Sequence, residues 1–528
     1  MVVDDAPKRP AAVLAALILV AAVANLNLAV ANVALPDIAR DLDASQTALN
    51  LIAVGYSLGL AASVLYLGAV GDRYGRKLLL IVGTSLAIPA SILAAESNSV
   101  ELLFIARMLG GVAAGMAFPT TLSLITALWS GAGRTRSIAL WSSIGGAISS
   151  LGPLVSGALL EKYEWGSVFL ITLPLAVVAL VMAVKLVPAH VNESSDPVDH
   201  FSGMMSIVLI AAVVLGLNFA PVPGRGALAL GLVLIGLATT AAFGWRQKKL
   251  KVPLYDLEVA GRRIFWVAAI AGIIVFGSLM GAMFIGQQFL QNVLQYDTLE
   301  AGAAILPAAV AMVIVAPHSA NMVERYGARF TLLVGYVFCL LGFTTMLLFW
   351  KEGISYWLVA LPYVLTGIGV GFAGTPASHS LTGSVPVKRA GMASATADLQ
   401  RDLGGAIMQS LLGALLTAGY AAAANAAIAS SPSADKVTDS VQSQLTKSFA
   451  GAESIAQQYP QYSQAIVNGA RESFIQGQDW AYVAGICAVL IGGAIVFFLF
   501  PKRDEERRTL ERYHAEDTAE AATSAAAA

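Results

Sequence analysis

Long apolar runs separated by short polar breaks dominate this chain. Such runs lie near 11–35, 46–69, 78–96, 100–127, 134–160, 166–187, 202–220, 226–245, 264–290, 301–323, 329–350, 354–380, 389–424 and 479–500. Most reach about 20 residues, the length a helix needs to cross a hydrocarbon core of about 30 Å. The pattern predicts fourteen membrane helices, an even number that puts both chain ends on one side. The first run follows Lys8 and Arg9. It is too long for a signal-peptide core and has no convincing cleavage site, so it is expected to stay as the first membrane helix. Two segments break the pattern. Residues 425–478 are polar and predict a loop with one or two amphipathic helices, and 503–528 predict a short helix followed by Ala-rich disorder.

Charge orients the helices. Of the 32 Lys and Arg residues, about 23 fall in breaks on the side of the chain ends, about 7 on the other side and 2 within helices. Basic loops stay cytoplasmic, so both termini are expected in the cytoplasm, in a plasma-membrane protein with 425–478 outside the cell. The densest cluster, Arg246, Lys248, Lys249, Lys251, Arg262 and Arg263, reads as a topology anchor rather than a lipid or partner site. With 57% hydrophobic and 12% charged residues the chain lies far from the soluble range of about 25% charged. No basic patch suited to nucleic acid is present, and Cys339 and Cys487 sit in apolar runs and read as buried thiols.

The break at Gly68-Ala-Val-Gly-Asp72-Arg73-Tyr-Gly75-Arg76-Lys77 is charged and tight, and Glu324-Arg325-Tyr-Gly-Ala-Arg repeats it 252 residues later. The fourth helix carries Gly111 and Gly115, matched in the twelfth by Gly367 and Gly371 at an offset of 256. Glycines at this spacing let membrane helices approach closely. The repeat divides the chain into a short N-terminus (1–10), six helices (11–187), a two-helix insert (188–263), six helices (264–500) and a cytoplasmic tail (501–528).

The G-x-x-x-D-R-x-G-R-K loop resembles the signature of the major facilitator superfamily, between its second and third helices. Fourteen helices with a central inserted pair resemble its drug:proton antiporter branch, typified by the QacA and EmrB exporters, over roughly residues 11–500. The resemblance implies an all-α major facilitator fold, two parallel six-helix bundles about an axis along the membrane normal. It also implies export driven by a proton gradient, without a cofactor.

Several residues carry candidate chemistry. Asp72 with Arg73, Arg76 and Lys77 can pair across helix ends on one side of the membrane only, as a state-dependent latch must, with Gly68 and Gly75 shaping the loop. Glu324 and Arg325 are its counterparts, and the other reading of these charges is topology alone. Arg107 lies about 10 Å into the fourth helix, where a charge normally faces a partner or a wet cavity. Arg107-Met-Leu-Gly-Gly111 resembles the family motif whose Arg is linked to proton coupling; a structural ion pair is the alternative. Gly152-Pro153 and Gly157 resemble the antiporter motif, with Ile148 and Ser156 in place of two of its glycines.

In the thirteenth helix Asp398, Arg401 and Asp402 fall within an arc of about 100°, deep in the membrane. Two carboxylates four residues apart repel, which favours proton uptake by one of them; Arg401 opposes this, and a substrate cation can compete with the proton. A closed Asp–Arg–Asp salt bridge that only packs is the other reading. Acids at these two positions resemble QacA. The acids that the branch carries in its first and second helices are missing: Asn27 and Gly55 stand there. Either Asp398 and Asp402 carry all the coupling or the substrate is less cationic.

Asn25, Asn27, Trp141, Gln287, Gln288 and Gln291 offer polar or aromatic contacts for an amphipathic small molecule, or hydrogen bonds between helices. His318 and His379 have no carboxylate or thiol at ligand spacing, and no metal site is expected. No H-E-x-x-H, Walker A loop or nucleophile elbow marks an enzyme. The chain is expected to be a monomeric proton-coupled exporter of amphipathic organic compounds in the lipid bilayer. The alternatives are export of one metabolite, lipid or antibiotic, or a non-transporting sensor or scaffold.

Overall fold

The computed structural model describes residues 9–129, 131–189, 197–220, 222, 224–250, 252–386, 390–431 and 434–527. Lys8, Lys251 and Arg389 lie outside them. All regular structure among the described residues is helical. A span in hydrocarbon has no water to pair with, so its backbone groups must be satisfied within the segment.

The long helices are α1 (Pro10–Asp41, offset at Val30), α2 (Gln46–Tyr74), α3 (Arg76–Ala95), α4 (Val100–Leu128) and α5 (Gly131–Leu160). They continue with α6 (Ser167–Leu186), α7 (His200–Phe219), α8 (Gly226–Lys249), α9 (Arg263–Asn292) and α10 (Thr298–Tyr326). Then come α11 (Ala328–Phe349), α12 (Tyr356–Gly383), α13 (Ala390–Ser430), α14 (Ser463–Leu499) and a tail helix, α15 (Arg503–Ala527). Among the described residues 13 helices are long and apolar enough to cross a membrane; α5 adds the apolar stretch Leu151–Leu160.

Packing repeats along the chain. Helices α2 and α3 pack on α4, and α10 and α11 pack on α12. A Cβ on Gly111 or Gly115 of α4 would strike Tyr56 or Ser63 of α2; one on Gly367 or Gly371 of α12 would press on Ala308 or Val315 of α10. Gly83 of α3 abuts Ala113 and Ala117 of α4, while Gly335 of α11 abuts Gly369 and Ala373 of α12. Each contact in the first set recurs 252 or 256 residues on, so the sequence repeat is also a packing repeat.

The insert is not wholly peripheral. Helix α7 packs on α2, α8 and α13. Its Gly203 faces the Tyr66 ring of α2, and Asn218 Nδ2 donates to Ser410 Oγ of α13 at 2.6 Å. Helix α8 is outermost: 17% of its apolar span is buried, against 83% for α2.

The tight break shrinks to one residue: α2 runs through Asp72 and Arg73 to Tyr74 and α3 starts at Arg76, with Gly75 (φ 116°) as the hinge. A Cβ on Gly68 would meet open space, so Gly68 does not shape the turn. Cys339 is buried as expected, but Cys487 points outward from α14.

The non-membrane segment is shorter than its polar stretch, because α13 extends to Ser430 and α14 begins at Ser463. Between them lie two short helices, Asp439–Lys447 and Phe449–Gln458, started by the Thr438 and Ser448 side chains accepting from Val441 N and Gly451 N. The tail is one helix rather than a short helix and disorder. Arg507–Glu511 and Arg512–Glu516 brace it at four-residue spacing, and its Ala-rich end has high helix propensity. It docks through Arg262–Asp517, Arg263–Glu505 and the buried Tyr513 ring under Arg262, which gives Arg262 and Arg263 a packing role beyond topology.

Candidate transport path and its gates

Helices alternate in direction, so the chain ends mark one face of the bundle, the terminal face, and the turn at Leu42–Ser45 marks the far face. The far face is closed by bonds between α1–α6 and α9–α14. Gln46 Nε2 donates to Gln288 Oε1 at 2.8 Å, Asn50 Nδ2 to Thr417 Oγ1 at 3.0 Å, and Gln291 Nε2 to the Val33 carbonyl at 2.9 Å. Thr298 Oγ1 donates to the Gly157 carbonyl at 3.1 Å. Gly157 leaves no room for a Cβ against Thr298, and Gly302 leaves none against Pro153, so the Gly-Pro segment of α5 is a close-packing surface for α10. Lys447, in the segment between α13 and α14, pairs with Asp43 Oδ2 at 2.7 Å. Beneath it lies a vestibule of about 380 Å³ whose lining includes Pro36, Asp37, Gln288, Gln291, Phe449 and Glu453. Gln288 and Gln291 therefore spend their amides on the far-face seal in this state, and Gln287 Nε2 donates to the Ala301 carbonyl at 2.7 Å.

At the terminal face Asp72, Arg76 and Lys77 bond within the first half of the chain. Asp72 Oδ1 accepts from Arg76 Nε at 2.9 Å, and Lys77 Nζ donates to the Val184 carbonyl of α6 at 2.9 Å. Asp72 thus ties α2 to α3, and Lys77 ties α3 to α6. In the repeat, Gly327 (φ 88°) supplies the same left-handed hinge, which only glycine adopts freely. There the Glu324 carbonyl accepts from Arg503 and Glu506 Oε2 accepts from Ala328 N, while Arg325 lies over Tyr326.

Asp398 and Asp402 are both buried on α13. Arg401 Nε lies 3.6 Å from Asp402 Oδ1, an ion pair too long for a hydrogen bond, and Asp402 Oδ2 makes no hydrogen bond. Arg401 instead stacks over Phe118 of α4 at 4.6 Å. Phe118 lies against Trp141 of α5 (centroids 5.5 Å), whose Nε1 donates to Thr121 Oγ1 at 3.0 Å. The structure thus joins the charged face of α13 to Trp141 through Phe118. Sequence reasoning missed Phe118, since a lone Phe in an apolar run carries no signal of its own.

Arg107 is buried, and among the described residues it bonds to backbone carbonyls rather than to a carboxylate. Its NH1 donates to the Asn27 carbonyl at 2.6 Å, its Nε reaches the Ile52 carbonyl at 3.4 Å, and its guanidinium lies 5.0 Å from the Tyr56 ring. Asn27 itself donates to Thr172 Oγ1 of α6 at 3.1 Å, and Asn25 is half-buried one turn away from the α1 offset. At Gly55 a Cβ would meet Phe104 at 3.1 Å and Arg107 at 3.2 Å, so an acid there would displace the helix packing.

The family model described as Major Facilitator Superfamily matches residues 17–409. The chain belongs to this superfamily. Among similar proteins, the multidrug efflux pump LfrA of Mycolicibacterium smegmatis is 32% identical, aligned over 93% of this chain and 95% of its own. The methyl viologen resistance protein SmvA of Salmonella typhimurium is 28% identical, over 89% and 94%. Among solved structures, a bacterial homolog of the human lysosomal transporter Spinster, inward-facing and unoccupied, superposes with a TM-score of 0.61 at 16% identity, over 95% and 97% of the two chains. This major facilitator protein is a multi-pass membrane transporter and not an enzyme.

Proposed function

We propose that the chain exports amphipathic organic compounds, including drugs, across the plasma membrane in exchange for protons. The reading takes α5 as a fourteenth span, both termini as cytoplasmic, and a monomer of two six-helix units (11–187 and 264–500) joined by α7 and α8. The sealed far face then corresponds to a state whose substrate path leads to the cytoplasm. The observation that carries the reading is the pair of buried carboxylates, Asp398 and Asp402, with half-buried Arg401 between them reaching Phe118, which in turn lies against Trp141. A group placed there feels both halves, so its proton or substrate load can bias their arrangement.

In the cycle, substrate enters from the cytoplasm or inner leaflet with Asp398 and Asp402 deprotonated. The far-face bonds at Gln46–Gln288, Asn50–Thr417 and Lys447–Asp43 break as the units rock. Substrate leaves, a proton enters, and Asp72 with Arg73, Arg76 and Lys77, whose Asp72–Arg76 pair already stands within the first unit, closes across the units as the cytoplasmic latch of the outward state. Glu324 and Arg325 stay with the tail. Arg107 couples by holding the α1 and α2 carbonyls through their movement. The printed names of the relatives, a multidrug efflux pump for LfrA and a methyl viologen resistance protein for SmvA, support the substrate class. The filled space at Gly55 and the engaged Asn27 favour substrates of low positive charge. Asp402→Asn should abolish uphill export in energised cells while surface expression stays normal; full retained export would remove the coupling assignment.

A further inference from the structure

On the outer surface of α7 and α8, near the terminal face, lies a groove of about 440 Å³ lined by Phe201, Met204, Met205 and Val208 of α7 and by Ala238, Thr239 and Ala242 of α8. Its origin is in the sequence. Further from that face Gly216 and Gly236 draw the two backbones together, with Val233 and Val213 filling the contact. Nearer the face, α8 offers only short side chains opposite the long ones of α7, which leaves a cleft. Phe201, Met204 and Val208 are 63%, 53% and 42% exposed, so the cleft opens to the bilayer.

The mouth of the groove is cationic. Arg246 lies over the Phe201 ring at 5.0 Å, and Lys249 lies over the outward-facing Trp245 ring at 3.8 Å. On a helix of 3.6 residues per turn, Ala242, Arg246 and Lys249 share one face, so the cations stand directly above the cleft. Arg246 is fixed in place: its Nε and NH2 donate to Asp199 at 3.0 and 2.9 Å, which leaves the NH1 edge uncommitted to that carboxylate. Burial works to raise the Asp199 carboxyl, but hydrogen bonds from Arg246 and Ser202 outweigh it and hold it at about 2, so the clamp does not titrate near neutral pH. With two cations against one carboxylate, the mouth remains positive. An exposed Trp beside basic residues is the usual composition of a membrane–water interface.

The geometry points to a binding site for an anionic glycerophospholipid of the terminal-face leaflet, one acyl chain in the α7–α8 groove and its phosphate between Arg246 and Lys249. A zwitterionic lipid would fill the same cleft but lacks the net charge that the mouth selects. The lipid would rest on the helix that touches both α2 and α13.

The test is retained lipid, read by native mass spectrometry on full-length protein released from nanodiscs that contain equal phosphatidylglycerol and phosphatidylcholine. Wild type should keep phosphatidylglycerol preferentially. Lys249→Gln should lower that preference about fivefold, the effect of one lysine near an anionic surface. Lys248→Gln, which removes the same charge about 100° around the helix, should change it little. Ala242→Phe, which fills the cleft, should lower retention of both lipids, and its melting temperature reports whether the bundle is intact. Equal effects of the two lysine variants would reduce the preference to bulk surface charge and overturn the site. So would equal retention of the two lipids by the wild type.

Discussion

The two tight turns, Asp72–Lys77 and Glu324–Arg329, share a hinge but not a role. Gly75 and Gly327 both hold positive φ, and each joins two helices that pack on the same neighbour of their own half. Their surroundings differ. In the first turn the side chains link helices, Asp72 to Arg76 and Lys77 to α6. In the second, α15 covers the turn, Arg503 donating to the Glu324 carbonyl and Glu506 accepting from Ala328 N. A repeat sets backbone geometry, whereas elements outside the repeat decide what each copy contacts.

The largest contrast should come from the acids. Asp72→Ala should slow transport at least about tenfold with substrate affinity unchanged, because losing a state-dependent contact acts on the switch. Glu324→Ala should change it less than about twofold, since the backbone of Glu324, not its carboxylate, meets the tail. Initial rates and binding isotherms on both variants separate these outcomes, and a large affinity loss in Asp72→Ala would end the latch reading.

The hinges come next. Gly75→Ala should cost about 1–3 kcal/mol of backbone strain, measured in denaturant. Gly327→Ala should cost more, because its Cβ would also press on Arg503 Cβ at 2.9 Å, and truncation after Pro501 should remove that excess. Equal costs with and without the tail would show that α15 does not bear on the turn.

The smallest effect concerns pH. Burial holds the Glu506 carboxyl above its ordinary value, against the Ala328 N–H that favours the carboxylate. Such a group adds stability below its unfolded value and gives it up as pH rises through its folded value. Tail docking, followed by protease protection of α15, should weaken slightly as pH climbs from the usual carboxylate range, and Glu506→Gln should flatten that slope.

Much of this was legible in the sequence, because membrane helices are set by length and hydropathy. The apolar runs fall on the long helices, and the repeated glycines fall on repeated contacts. The three charges of α13 were readable too, since burial of a charge in an apolar run leaves few places for it to go. What escaped was lateral. Which helix faces Arg401, that Arg107 meets backbone carbonyls, and that Gln288 and Gln291 cross the far-face junction all depend on rotations that no one-dimensional pattern carries. The tail escaped for another reason. Its Ala-rich composition suits both disorder and helix, and the sockets at Arg262 and Arg263 decide between them only in three dimensions.

The central claim is that α13 exchanges protons for substrate. Its most direct test is proton release from reconstituted vesicles on addition of monocationic, dicationic and neutral amphiphiles, with wild type beside Asp398→Asn/Asp402→Asn. The wild type should release protons with at least one compound class and the double variant with none. Equal release by both proteins would place the exchanging proton elsewhere and contradict the claim.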